Sequence, residues 1–115
     1  MRLNIAKFYE VVDSGDLEEF SSYLAGDLVF QFGNSPELHG IPEVIEALRG
    51  FYLRISGVKH FLYKVIDSGD HTFITCDVQY WRLDGTVLKV PAAVLLRHVD
   101  GQISDYRIFV DNSSL

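Results

Sequence analysis

The 115-residue chain has one cysteine, three prolines and no apolar run longer than Ala92 to Leu96, and each scarcity excludes something. A lone Cys76 closes no internal disulfide. Its neighbourhood, Phe73 to Tyr80, reads as a strand in which a small thiol packs as an apolar residue, so a reducing compartment is expected, with the cytoplasm as the default location. A membrane-spanning helix needs about 20 apolar residues, so no membrane segment is read. Lys7, Glu10 and Asp13 interrupt the start of the chain where a secretory leader would be continuous. Positive charge is short as well: ten Lys and Arg stand against sixteen Asp and Glu, four against nine up to Gly57 and six against seven beyond it. No basic face is left for phosphates, and nucleic acid is not an expected partner. Histidines and carboxylates never take a ligand spacing such as His at i and i+4 with a third acid, so no metal is expected. Gly33-Asn34-Ser35-Pro36 lacks the glycines and lysine of a phosphate cradle, and Ser14, Ser35 and Ser68 lie in turns with no histidine–acid pair implied. No cofactor is expected.

What is present is a core. Hydrophobic residues make up 48% of the chain, and at this length a fold hides about two thirds of the surface its unfolded form exposes. We read one domain over 1–115. Ile5, Phe8, Tyr9 and Val12 recur at helical spacing, with Lys7, Glu10 and Asp13 on the other side and Gly15 as the stop. Asp16 caps a second helix carrying Leu17, Phe20, Tyr23 and Leu24 before Gly26. Leu28 to Phe32 reads as a strand, followed by a turn at Gly33-Asn34-Ser35-Pro36 and a loop to His39-Gly40. Pro42 opens a third helix, with Val44, Ile45, Leu48, Phe51, Tyr52 and Ile55 running to Gly57. From Lys59 the period becomes two. Turn signals at 67–70, 84–85 and 100–101 delimit strands at about 59–66, 72–82, 87–98 and 102–110, an antiparallel meander. Three helices followed by long strands make an α+β layout, with a curved sheet covered on one face by helices.

Three stretches carry a resemblance: Phe8-Tyr9-Glu10-Val11-Val12-Asp13-Ser14-Gly15-Asp16-Leu17, Ala25-Gly26-Asp27-Leu28-Val29-Phe30 and His39-Gly40-Ile41-Pro42-Glu43-Val44-Ile45. With Asp100-Gly101-Gln102-Ile103-Ser104-Asp105-Tyr106-Arg107-Ile108-Phe109-Val110-Asp111, they resemble the nuclear transport factor 2-like superfamily, in its SnoaL-like branch. The resemblance implies a cone-shaped, cystatin-like fold: a curved antiparallel sheet wrapped around three N-terminal helices, enclosing an apolar pocket. It also implies pairing with a second subunit through the opposite sheet face. Relatives in that superfamily include ketosteroid isomerases, limonene-type epoxide hydrolases, polyketide cyclases and proteins without catalysis, so the fold leaves the activity open.

Carried over residue by residue, the known catalytic sets do not transfer. The isomerases' tyrosine falls on Phe8, their aspartate base on Phe32 or Gln31, and their protonated aspartate on Val94. Tyr9 is one position from the first, which turns a helical side chain by about 100°. Of the epoxide hydrolases' two aspartates and arginine, the last-strand aspartate falls on Ile108 and the arginine on Thr75. Only Asp77 survives.

The same alignment, used to set the pleat, turns Thr75, Asp77, Gln79 and Trp81 into the pocket with Val90, Ala92, Val94, Leu96, Tyr106, Ile108 and Val110. A carboxylate on such apolar walls resists ionisation, which would make Asp77 an acid or base near neutrality. A slip of one residue would instead turn Ile74, Cys76, Val78 and Tyr80 inward and Asp77 to solvent. Tyr106 could orient a ligand oxygen or simply pack, and His60 could relay a proton to Asp77 or sit exposed at a strand end. Phe8, Phe32, Asn34, Gln79, Trp81, Val94 and Ile108 are read as ligand-binding, with Asn34 at the mouth. His39 is read as fixing the entry to the third helix, and His71 and His98 as turn residues. Phe109, Ala93 and Leu95 make the outer sheet face too apolar for open solvent, so a homodimer is expected. Two function classes follow. One is a cofactor-free isomerase, cyclase or hydrolase with Asp77 as acid/base, acting on a small apolar or aromatic molecule. The other is a non-catalytic ligand-binding or protein-interaction module, including the case of a cone filled by Phe8, Phe32 and Trp81.

Overall fold

The computed structural model describes residues 3–115. Helix α1 spans Ile5–Ser14. Asn4 caps it by accepting from the Lys7 amide at 3.1 Å, and Gly15, in the left-handed region at φ 74°, ends it. Left-handed backbone is what glycine supplies without strain. Asp16 starts α2, Leu17–Ser21, by accepting from the Glu19 amide. This helix is shorter than its apolar spacing suggests. Tyr23 and Leu24 are taken instead by the sheet: Tyr23 O accepts from the Ile103 amide at 2.8 Å, and Leu24 opens strand β1, Leu24–Phe32. A ladder edge offering backbone partners outweighs one further helical turn.

Strand β2 is the pair Leu38–His39 and lies against β1 where a loop was expected. Helix α3, Ile41–Tyr52, has Pro42 in its first turn. It stops short of Gly57 because Ile55 already pairs with Arg82 in the sheet and buries its side chain. Strands β3 (Ile55–Ser68), β4 (His71–Arg82), β5 (Val87–Val99) and β6 (Gln102–Val110) form the meander. The sheet order is β2-β1-β6-β5-β4-β3, with β1 parallel to β6 and all other pairs antiparallel. The sheet is therefore mixed, curved and unclosed. Register shifts at 62/64 in β3 and 97/98 in β5 sharpen its curvature. The three helices fill its concave side, where Phe8, Leu28, Val44, Leu96 and Ile103 are fully buried.

The pleat of β4 corrects the alignment-based reading. Cross-strand partners share a face, and Ile74 is opposite Val94, Cys76 opposite Ala92 and Val78 opposite Val90. With Ala92, Val94 and Leu96 of β5 pointing in, as expected, β4 must bury Thr72, Ile74, Cys76, Val78 and Tyr80. Thr75, Asp77, Gln79 and Trp81 take the outer face. Trp81 lies over Gly57, where an added Cβ would stand 3.3 Å from its ring.

Candidate functional site

Among the spaces bounded by the described residues, two share a wall of aromatic side chains. One is a cleft of about 970 Å³ with an apolar floor of Phe30, Phe32, Leu48, Phe51 and Ile55, and with Asn34, Arg54, Arg82, Asp84 and Asn112 among its polar walls. A much smaller hollow of about 40 Å³ lies in the interior, lined by His60, Tyr52, Tyr80, Tyr106, Val78 and Ile108 among others. Phe30, Phe32, Leu48 and Phe51 line both and form the partition between them. The Phe32 and Phe51 ring centroids are 5.2 Å apart.

His60 pairs with Val78, so its side chain turns inward with that residue. Its acid partner is Asp13, at the end of α1. Nδ1 lies 2.6 Å from Asp13 Oδ1, and the same carboxylate accepts the His60 backbone N–H at 3.1–3.2 Å. The two side chains are only 13% and 16% exposed. In the neutral imidazole, a hydrogen on Nδ1 directed at this carboxylate leaves the lone pair on Nε2. The Tyr9 ring packs against the imidazole at 4.7 Å.

The phenols of Tyr52, Tyr80 and Tyr106 complete the wall, with Tyr9 behind Tyr106. The Tyr9 and Tyr106 hydroxyls are 3.3 Å apart in full burial, and since one donates to the other, one hydroxyl hydrogen of the pair is left over. Tyr80 OH accepts from Asn112 Nδ2 at 3.2 Å and so retains its own hydrogen. Tyr52 OH donates to Val12 O at 2.7 Å. Burial raises the pKa of Tyr9, Tyr52, Tyr80 and Tyr106 above the ordinary phenol value, so each holds its proton at neutral pH. The hollow thus offers one imidazole lone pair and O–H donors in apolar walls.

The expected site residues divide accordingly. His60, Tyr106, Phe32 and Ile108 meet at the hollow, and Asn34 stands at the cleft mouth. Phe8 and Val94 are buried in the core without lining either space. Asp77, Gln79 and Trp81 lie on the outer face, where Asp77 accepts from Tyr63 OH and stands 4.0 Å from Lys89 Nζ. His60 therefore has no relay to Asp77. Asp13 escaped the sequence reading because it follows Val12 on what looked like the polar side of its helix. Its signal was its place in the last turn, where the helix meets the sheet. In the sequence Phe51 reads only as part of the third helix's apolar stripe, and Tyr80 only as part of the apolar alternation of β4.

The sequence profile of a SnoaL-like domain matches residues 5–106. The chain belongs to this family. No curated protein matches its sequence. The SnoaL-like chain is similar in structure to an NTF2-like protein of unknown function from Burkholderia pseudomallei K96243, with TM-score 0.86 and 18% identity over 96% of this chain and 89% of that one. It is also similar to TerC co-crystallized with polyporic acid, at 0.82 and 17% over 96% and 90% of the two chains. An LEH-like epoxide hydrolase from M. tuberculosis matches at 0.81 and 16% over 93% and 79%. Identities this low establish the shared fold alone.

Among the described residues no group of three His, Cys, Asp or Glu is placed to hold a metal, and no helix is long and apolar enough to cross a membrane.

Proposed function

We propose that this SnoaL-like domain binds a small apolar or aromatic molecule in its cleft and moves a proton on it with His60, held by Asp13. The observation that carries the reading is the 2.6 Å contact between Asp13 and His60 Nδ1 at the wall of the hollow. It leaves Nε2 as the base. In such a step Nε2 takes a proton from a carbon beside a carbonyl, the C–H electrons pass to the carbonyl oxygen, and an O–H of Tyr80 or Tyr106 stabilises the enolate. Return of the proton to another carbon gives isomerisation, and attack of the enolate on an electrophile gives cyclisation. Structural likeness to TerC co-crystallized with polyporic acid supports an aromatic ligand.

A second reading has its own support. The hollow beside His60 is only about 40 Å³, far below the roughly 300 Å³ or more of a pocket that holds an organic ligand. Substrate must therefore part Phe32 and Phe51 to reach the base, and a domain that never does so would bind in the cleft without turnover. Deuterium exchange into the carbon beside the carbonyl of 2-tetralone, an aromatic ketone, separates the two. Catalysis predicts exchange that falls about 100-fold or more in His60→Gln. Saturable binding of the ketone with no protein-dependent exchange would leave only the binding module.

We also propose that the outer sheet face pairs with a second copy. It exposes Phe73 and Phe109 at 47% and 58%, with Ala93 beside Phe109 in the ladder.

A further inference from the structure

The polar groups around the cleft are unequal in what they have left to offer. Asp84 accepts from both the amide and the hydroxyl of Thr86, at 2.9 and 2.6 Å, and Asp111 from the Ser113 amide at 3.0 Å. Arg82 donates to Thr86 Oγ1 at 3.2 Å and to Ser114 O at 2.7 Å, both neutral acceptors. Arg54 differs from all three. Its guanidinium stands over the Phe51 ring, 5.8 Å from the centroid, and among the described residues it meets no carboxylate and donates no side-chain hydrogen bond. Phe51 in turn is part of the cleft floor. An unengaged planar cation thus sits directly on the aromatic surface that would receive a ligand's body.

We infer that the cleft takes an organic anion: an aromatic or alicyclic body against Phe30, Phe32 and Phe51, with a carboxylate or equivalent acceptor on the Arg54 fork. Among the described residues its five N–H donors meet no side-chain or carbonyl acceptor, and such a fork matches a two-oxygen anion better than any neutral group. The two rim carboxylates bear on orientation. Each is engaged within its own turn, and their charge directs the anion to the Arg54 side. The inference rests on the cleft being the ligand site, and it narrows the ligand from apolar molecules in general to amphipathic acids.

The experiment uses 2-naphthoate and its neutral isostere 2-naphthamide in calorimetric titrations of the full chain at moderate salt. The expected result is that the acid binds at least tenfold more tightly than the amide. Arg54→Gln should remove that preference, so that the variant binds acid and amide alike, and raised salt should shrink it in the unmodified chain. Equal binding of acid and amide, or a preference that survives Arg54→Gln, would overturn the anion inference and leave the cleft a ligand site. Binding of neither compound would overturn the inference together with the reading of the cleft beneath it. Arg54 is exposed, and among the described residues its side chain has no partner but Phe51, so Arg54→Gln is expected to fold, which an unchanged circular dichroism spectrum checks.

Discussion

His60 and Asp13, 47 residues apart in the chain, are joined twice: imidazole Nδ1 to carboxylate at 2.6 Å, and His60 backbone N–H to the same carboxylate at 3.1–3.2 Å. The second contact fixes the carboxylate, and the first fixes the tautomer. Asp13→Asn keeps the shape but presents an amide N–H that can donate to Nδ1, which would move the imidazole hydrogen to Nε2 and remove the inward lone pair. The expected outcome is a switch of His60 tautomer in ¹⁵N long-range spectra, with ketone exchange reduced at least about tenfold. An unchanged tautomer with unchanged exchange would separate Asp13 from the chemistry.

The contrast with Asp77 is a matter of one residue of register. Asp77 is held on the outer face by Tyr63 and Lys89. Asp77→Asn is therefore expected to leave cleft affinity and ketone exchange within about twofold of the unmodified chain, since surface substitutions away from a site act weakly. Calorimetry and the exchange assay check this directly. A loss of exchange comparable with His60→Gln would mean that β4 works in the opposite register.

The helices and meander were legible because they rest on local signals: Gly15, Asp16, Pro42 and the paired turn residues at 84–85 and 100–101. The register of β4 was not legible from an alignment, although the alternation Ile74, Cys76, Val78, Tyr80 already spelled the apolar face. Once Ala92 and Val94 are placed inward, their direct partners Cys76 and Ile74 must follow. The Asp13–His60 contact is harder to read. It depends on where the end of α1 docks against β3, a long-range relation with no pattern in either segment. The boundary between α2 and β1 failed for the same reason, since β6, some 80 residues on, supplies the backbone partner of Tyr23 and Leu24.

Alkali should unfold the domain through its buried acids. Burial holds the Cys76 thiol up at about 11 and pushes Tyr9, Tyr52 and Tyr106 above the usual phenol range. Each of these groups keeps its proton longer when folded than when unfolded. Their stabilising contribution is full below the unfolded values, near 9 for the thiol and 10 for the phenols, and is lost as pH rises through the folded ones. Urea midpoints should stay level with respect to these groups up to about pH 9 and fall steeply beyond pH 10. Phenolate absorbance from Tyr9, Tyr52 and Tyr106 should appear together with loss of the circular dichroism signal, and Cys76→Ala should weaken the slope between pH 9 and 11. Phenolate absorbance from these three tyrosines ahead of unfolding would refute the burial argument.

If the outer face is an isologous interface, one substitution alters it twice, once per subunit. Phe109→Glu and Ala93→Glu each place a charge on that face, and either should convert a sedimenting dimer into a folded monomer. Both positions point away from the core, so the circular dichroism spectrum should not change. Monomeric sedimentation of the unmodified chain at tens of micromolar would remove the pairing.

Among the described residues Asn112 Oδ1 is buried without a hydrogen-bond partner, while its amide nitrogen donates to Tyr80 OH. Tyr80→Phe removes the remaining partner and leaves the whole amide unpaired, at a cost of about 1–3 kcal/mol. Asn112→Leu in the same chain removes the polar group itself, and most of that loss should return. The pair is therefore expected to be non-additive by about 1 kcal/mol or more in urea unfolding with constant m. Additivity within about 0.3 kcal/mol would show that solvent already satisfies Asn112. That result would also weaken the case for Tyr80 as a donor with a free hydrogen, because the same contact with Asn112 is what turns its own O–H toward the hollow.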